Sequence, residues 1–198
     1  MPRTYMGHSG YIGADTAWEE LRPWWRPGAA EWLAEFLTPE SRVFEWGSGA
    51  STLWLARRSM DLVSLEMDSS WVRVVEERLL REGLNEGVEI VYVLSQSSQM
   101  EQWRIYGDHI LHLPDGHFDA ICIDGRNRAR CLDNARRKVR VGGVVLLDNS
   151  ERQEYAQGVA LYDGWEGYDW GDEGWMTTVW IRPEGADVEL RRLPNADA

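Results

Sequence analysis

Cysteine and phenylalanine are scarce in this sequence, with two and three copies in 198 residues, and no apolar run is long. Each shortage excludes something. Cys122 and Cys131 match no metal-binding or redox spacing, and they read as free thiols of a reducing compartment. No segment approaches the roughly 20 apolar residues that cross a bilayer, so a membrane partner is not expected. The opening MPRTYMGHSGYIG lacks an apolar secretory core, and the expected location is the cytoplasm. Positive charge is also short: 21 basic against 33 acidic side chains give a net charge of −12. Such a surface repels a phosphate backbone, which argues against nucleic acid as a partner. The exception is a run of Arg126, Arg128, Arg130, Arg136, Arg137, Lys138 and Arg140. Most of it reads as a solvated helix face, and only Arg126 and Arg128 fall where a site belongs.

What is present is the composition of one globular domain, 43% hydrophobic and 27% charged. Residues 1–40 read as an N-terminal helical cap, with a helix at 29–37. Strands are expected at 42–46, 61–66, 88–94, 118–124 and 143–148, with helices at 50–58 and 69–82 and an arginine-rich helix before the last strand. Residues 95–117 are polar, hold three of the four histidines, and read as a long connection or partial helix. Strands alternating with helices imply a parallel sheet covered on both faces. The region 151–198 differs: a helix, then two aromatic-rich runs flanking GDEG, which read as an antiparallel hairpin.

The chemistry gathers in the core, 41–150. Glu45-Trp46-Gly47-Ser48-Gly49-Ala50-Ser51 ends a strand and opens a helix. Glycines there allow a sharp turn and a close ligand approach, and the helix start offers free N–H groups to a carboxylate. Glu66 stands nineteen residues after Gly47, at the end of the next strand, where an acid can accept from both ribose hydroxyls. Any nucleoside-binding α/β domain fits so far, and a plain strand–turn–helix junction is the bland alternative. A nicotinamide-dependent oxidoreductase is disfavoured, because Thr52 takes the place of a third glycine and Glu45 would repel a pyrophosphate.

VFEWGSGASTLWLARR, VSLEMDSSW and FDAICIDGRNR…GGVVLLDN together resemble the successive motifs of class I S-adenosylmethionine-dependent methyltransferases, the small catechol-type O-methyltransferases above all. The resemblance implies a Rossmann-like α/β fold: a seven-stranded, mostly parallel sheet with an antiparallel last strand and helices on both faces. It implies methyl transfer from S-adenosylmethionine to an oxygen or nitrogen of a small molecule. It also assigns roles. Glu45, Gly47 and Gly49 would surround the methionine part of the cofactor, while Ser48 and Ser51 offer hydroxyls to its carboxylate. Glu66 would hold the ribose, Met67 cover the adenine, and Ser95 and Gln96 bond the adenine edge. Asp124 would lie beside the reacting methyl group as the catalytic residue.

Asp124, Asp148 and Asn149, at the ends of adjacent strands, offer three hard oxygen ligands suited to Mg²⁺ or another divalent cation, as in the catechol-type enzymes. Alternatively, Ser150-Glu151-Arg152-Gln153 is a capping box and Asp148-Asn149 only open the next helix. One position departs from the family: its general-base lysine corresponds to Asn127, which takes no proton. His8, His109 and His112 are the candidate replacements. A cofactor-binding module without catalysis is the second reading that Asn127 leaves open. Of the twelve tryptophans, Trp46 and Trp103 are the candidate pocket residues and most others read as core.

Overall fold

Runs of consecutive apolar residues, buried on both faces, build the central strands, and apolar residues three and four apart build the helices between them. The computed structural model describes residues 4–5, 14–94 and 98–186. In chain order it contains β1 (Thr4–Tyr5), α1 (Ala14–Glu19), α2 (Pro27–Phe36), β2 (Arg42–Trp46), α3 (Ala50–Ala56), β3 (Asp61–Glu66), α4 (Ser69–Glu82) and β4 (Val88–Tyr92). Then come α5 (Gln99–Asp108), β5 (Phe118–Ile123), α6 (Arg128–Lys138), β6 (Val139–Asp148), α7 (Ala156–Val159), β7 (Glu166–Asp172) and β8 (Trp175–Ile181). Helix α4 shows the local logic: Asp68 caps its first amides and Gly83, at φ 67°, ends it in the left-handed conformation.

The strands form one sheet in the order β1-β7-β8-β6-β5-β2-β3-β4. Every pairing is parallel except those of β8, which runs antiparallel to both β6 and β7. The expected seven strands are all there, with the antiparallel one last. An eighth, the two-residue β1, extends the β7 edge from a segment with no strand signal. The chain moves outward through β2, β3 and β4, then crosses back to build β5 and β6 on the other side. The order therefore reverses between β2 and β5, and ligands of such sheets sit outside the strand ends at that switch point.

Alternation along the strands feeds two cores. Phe44, Trp46, Ile121, Ile123, Val145 and Leu147 point to one face, under Tyr106 of α5 and Cys131, Leu132 and Ala135 of α6. Val43, Ala120, Cys122, Val144 and Leu146 point to the other, under Trp25, Leu33 of α2 and Trp54 of α3. Asp124 and Asp148 continue the second series, which turns both carboxylates toward the side covered by α2.

The capping box at Ser150 does not form. The Ser150 hydroxyl is engaged with Thr178 Oγ1 at 2.6 Å, and its N–H donates to the Met176 carbonyl, so the chain is tied to β8 there. The expected helix is reduced to the short α7 between 3-10 turns at Gln153–Tyr155 and Ala160–Tyr162.

Candidate functional site

The turn after β2 is built for close approach. Gly47 has φ 100°, and a side-chain carbon there would lie 2.8 Å from the backbone nitrogen of Gly125, in the loop after β5. Only glycine lets these two loops touch. At Gly49 a side-chain carbon would meet nothing within 4 Å, so that position opens onto free space. Trp71, on α4, donates from Nε1 to the Ser48 carbonyl at 2.7 Å and packs on Trp18 of α1, so the N-terminal segment reaches the glycine loop.

Beneath the loop lies Glu45, fully buried. Its Oε2 accepts from Thr52 Oγ1 and Ser64 Oγ, each at 2.6 Å. Oε1 has no hydrogen-bond partner of acceptable geometry, although the Ser51 hydroxyl is near enough to help lower the pKa. Burial outweighs the three hydroxyls and pushes the carboxyl up to about 7. Ser48 turns inward, 2.7 Å from Ser64 Oγ. An orphaned buried carboxylate oxygen beside an open glycine suits a ligand that carries an ammonium group.

At the end of β3, Glu66 Oε1 accepts from the amides of Met67 and Asp68, which fixes its direction. Burial raises its pKa, and the neighbouring Arg126 works against that rise. Met67 packs against the first core. Gln102 of α5, which the sequence reading passes over, donates to the carbonyls of Val93 at 2.7 Å and Met67 at 3.4 Å and so ties the β3 and β4 ends together. Ser95 and Gln96 lie outside the described residues, as does His8.

Ile123 sits beside Leu147 in the β5–β6 register, so Asp124 and Asp148 follow at one level. Between them lies the guanidinium of Arg128, the first residue of α6. Its Nη2 donates to Asp124 Oδ1 at 2.9 Å and to the Asp124 carbonyl at 2.7 Å. Nη1 donates to the Asp148 carbonyl and to Asn149 Oδ1, and Nε donates to the Gly125 carbonyl at 2.9 Å. Two further carboxylate oxygens accept hydrogen bonds: Asp124 Oδ2 from Trp25 Nε1 at 3.1 Å, and Asp148 Oδ1 from Trp175 Nε1 at 2.9 Å and Thr177 Oγ1 at 2.7 Å. Asp148 Oδ2 lies 4.0 Å from Arg128 Nη1. Burial raises both carboxyls, Asp148 to about 7. The expected trio of Asp124, Asp148 and Asn149 does not fit a divalent cation, because a cationic side chain already occupies the space between its oxygens. No group of three acidic, histidine or cysteine side chains suited to a metal is found among the described residues.

No protein-family model matches the sequence, and no curated protein matches it. Solved structures do. A methyltransferase-like protein from Silicibacter pomeroyi shares 24% identity over 80% of this chain and 87% of that one, with a TM-score of 0.57. A SAM-dependent O-methyltransferase from Thermotoga maritima shares 15% over 80% and 66%, with a TM-score of 0.59. An rRNA methylase from Streptococcus thermophilus shares 14% over 78% and 93%, with a TM-score of 0.58. This is the class I methyltransferase fold.

The same comparison corrects the expectation that nucleic acid is no partner. An rRNA methylase carries this methyltransferase fold, so the architecture does not bar an RNA substrate. A net charge of −12 for the whole chain says little about the local field at one set of strand ends. No helix among the described residues is long and apolar enough to cross a membrane.

Other expectations move as well. Trp46 is fully buried, and its Nε1 donates to the Tyr106 carbonyl at 2.9 Å, so it is core and lines no pocket. Trp103 remains at the surface, 38% exposed, with its carbonyl accepting from the Asn127 amide at 3.0 Å. His109 is half-buried, and burial, with the charge of His112, lowers its pKa. Lys138, the single lysine of the sequence, is buried at the end of α6 and bonds the Leu111 and Leu113 carbonyls and Asp115. Trp25 and Trp175 are the residues the sequence hides best, since nothing separates their indoles from the other ten until the carboxylates they serve are located.

Proposed function

We propose that this protein transfers a methyl group from S-adenosylmethionine to an oxygen or nitrogen of a small molecule, with Asp124 as the catalytic residue. The observation that carries the reading is the position of Asp124 beside the Gly47 loop at the switch point. Its side chain is 22% exposed, against 5% for Asp148. When bound, the cofactor supplies an activated methyl carbon; the acceptor's lone pair bonds to it as the carbon–sulfur bond breaks, and the sulfur leaves as a neutral thioether.

The protein's share is alignment and proton handling. Glu45 and the open Gly49 would hold the amino-acid end, with Ser48 and Ser51 nearby; Glu66 would take the ribose hydroxyls, and Met67, with Ser95 and Gln96, the adenine side. Asp124 accepts the proton that the acceptor loses, a task suited to a carboxyl whose pKa burial has raised. Holding nucleophile and methyl group in line supplies most of the acceleration. A cofactor-binding module without turnover is the second reading, favoured by Asn127, whose amide is engaged with Trp103 where the family carries its base.

Calorimetric titration with S-adenosylhomocysteine, with NAD in parallel, tests the binding. An acceptor screen over phenols, amines and short RNAs then separates enzyme from module. The reading requires homocysteine-form binding without NAD binding, and Asp124→Asn must abolish turnover while leaving that binding intact. Full turnover by Asp124→Asn would remove the assignment.

A further inference from the structure

We propose that Arg128 supplies, from within the chain, the positive charge that a divalent cation would otherwise bring to the ends of β5 and β6, so that methyl transfer here needs no metal. The metal-independence of the reaction rests on the methyltransferase reading above; the charge replacement does not. Two carboxylates at adjacent strand ends, Asp148 buried and Asp124 half-buried on one face of a sheet, are costly unless a cation lies beside them. Arg128 is that cation. Its side chain is 8% exposed, and all five N–H groups have an acceptor: the Gly125, Asp124 and Asp148 carbonyls, Asp124 Oδ1 and Asn149 Oδ1.

The arrangement differs in chemistry from an ion in the same place. A bound divalent ion keeps exchangeable positions that waters or two substrate oxygens can fill. A guanidinium with every donor engaged has none to offer, so no acceptor oxygen is chelated through it. The two indoles and the Thr177 hydroxyl engage Asp124 Oδ2 and Asp148 Oδ1, and the remaining Asp148 Oδ2 has the Arg128 guanidinium 4.0 Å away.

The test is Mn²⁺ binding to the full chain, followed by paramagnetic resonance of the free ion, which needs no turnover. Wild type is expected to show no saturable binding below about 1 mM, the weak end of protein divalent-ion sites. Arg128→Ala frees Asp124 Oδ1 and Asn149 Oδ1 and removes the cation 4.0 Å from Asp148 Oδ2, and is expected to bind one Mn²⁺ at least about tenfold more tightly than wild type. Adding Asp124→Asn should abolish that gain. Saturable Mn²⁺ binding by wild type that disappears in Asp124→Asn overturns the proposal. So does a folded Arg128→Ala protein, checked by circular dichroism, that gains no binding. If Arg128→Ala does not fold, the comparison of wild type with Asp124→Asn decides alone. Turnover should be unchanged by EDTA, and loss of turnover restored by Mg²⁺ counts against metal-independence. A protein that fails to bind S-adenosylhomocysteine while ignoring Mn²⁺ would sink the methyltransferase reading and leave the charge replacement standing.

Discussion

The indole N–H of Trp25 donates to Asp124 Oδ2 at 3.1 Å, joining a residue just ahead of α2 to one at the end of β5. Trp25 is 1% exposed and packs edge-on against Trp54, so its ring is held by the core while its nitrogen serves the site. Trp25→Phe keeps most of the packing and removes only the donor. Because this bond lowers the Asp124 pKa, its loss raises it. The base form then appears at higher pH, and the acid limb of the rate profile should move upward. A hydrogen bond to a charged group is worth about 1.5–3 kcal/mol, so kcat below that limb should fall by about tenfold or more. An unmoved acid limb would show that Trp25 serves packing alone.

Gly47 and Gly49 should fail for different reasons. At Gly47 an added methyl collides with the Gly125 backbone at 2.8 Å and the φ of 100° is foreign to alanine. Gly47→Ala should lose about 2–3 kcal/mol of stability, read by urea denaturation. At Gly49, φ is 179°, an extended value open to any residue, and no atom lies near the new methyl. Gly49→Ala should cost about 1 kcal/mol or less, as a helix cap exchange, yet weaken S-adenosylhomocysteine strongly because the methyl fills the cradle. Intact binding by Gly49→Ala would mean that the open space is not where the ligand lies.

Gln102 ties the Val93 and Met67 carbonyls together at the ends of β4 and β3, next to the side proposed for the adenine. Gln102→Ala removes two neutral hydrogen bonds worth about 1 kcal/mol each. The expected result is cofactor affinity weakened about five- to thirtyfold with kcat unchanged. A change in kcat with no change in affinity would place Gln102 on the acceptor side instead.

How far the sequence carries depends on the range of the interaction. The sheet and its helices were legible, because continuous apolar runs such as Ala120–Ile123 and Val144–Leu147 announce strands buried on both faces, and Gly83 marks the end of α4. The places of the glycine turn, Glu45 and Glu66 at the strand ends were legible for the same reason: strand end, turn and helix start are neighbours in the chain. The centre between Asp124 and Asp148 was not. Oxygen ligands in a row look alike whether an ion or a guanidinium lies among them, and Arg128 reads as one arginine of a basic run. What placed it is the turn of α6: Asn127, at φ 53°, starts the helix so that Arg128 points back across the strand ends. Trp25 and Trp175 meet Asp124 and Asp148 from 99 and 27 residues away, and no local pattern records such a meeting. The failed capping box at Ser150 is the converse case, a local motif overruled by a bond to β8.

Glu45 makes the stability of the ligand-free protein depend on pH in a direction opposite to ordinary carboxylates. Burial holds its pKa near 7 in the folded chain, against 4.5 in the unfolded one. Between those two values the folded state keeps a proton that the unfolded state has lost, so stability falls as pH rises. Below about 4.5 the contribution is fully present, and above about 7 it is gone. A difference of this size corresponds to about 3 kcal/mol for a fully buried group. Glu45→Gln cannot ionise, and its carbonyl still accepts from Thr52 and Ser64. The variant should therefore match or trail wild type at pH 4.5 and melt several degrees higher at pH 8, measured by calorimetry without ligand. S-adenosylhomocysteine should reverse that order, since its ammonium group stabilises the ionised form of Glu45 and nothing in the glutamine variant replaces that charge. A variant that melts lower than wild type at pH 8 without ligand would mean that Glu45 is already paired in the empty protein, and that its orphaned oxygen has no ligand to wait for.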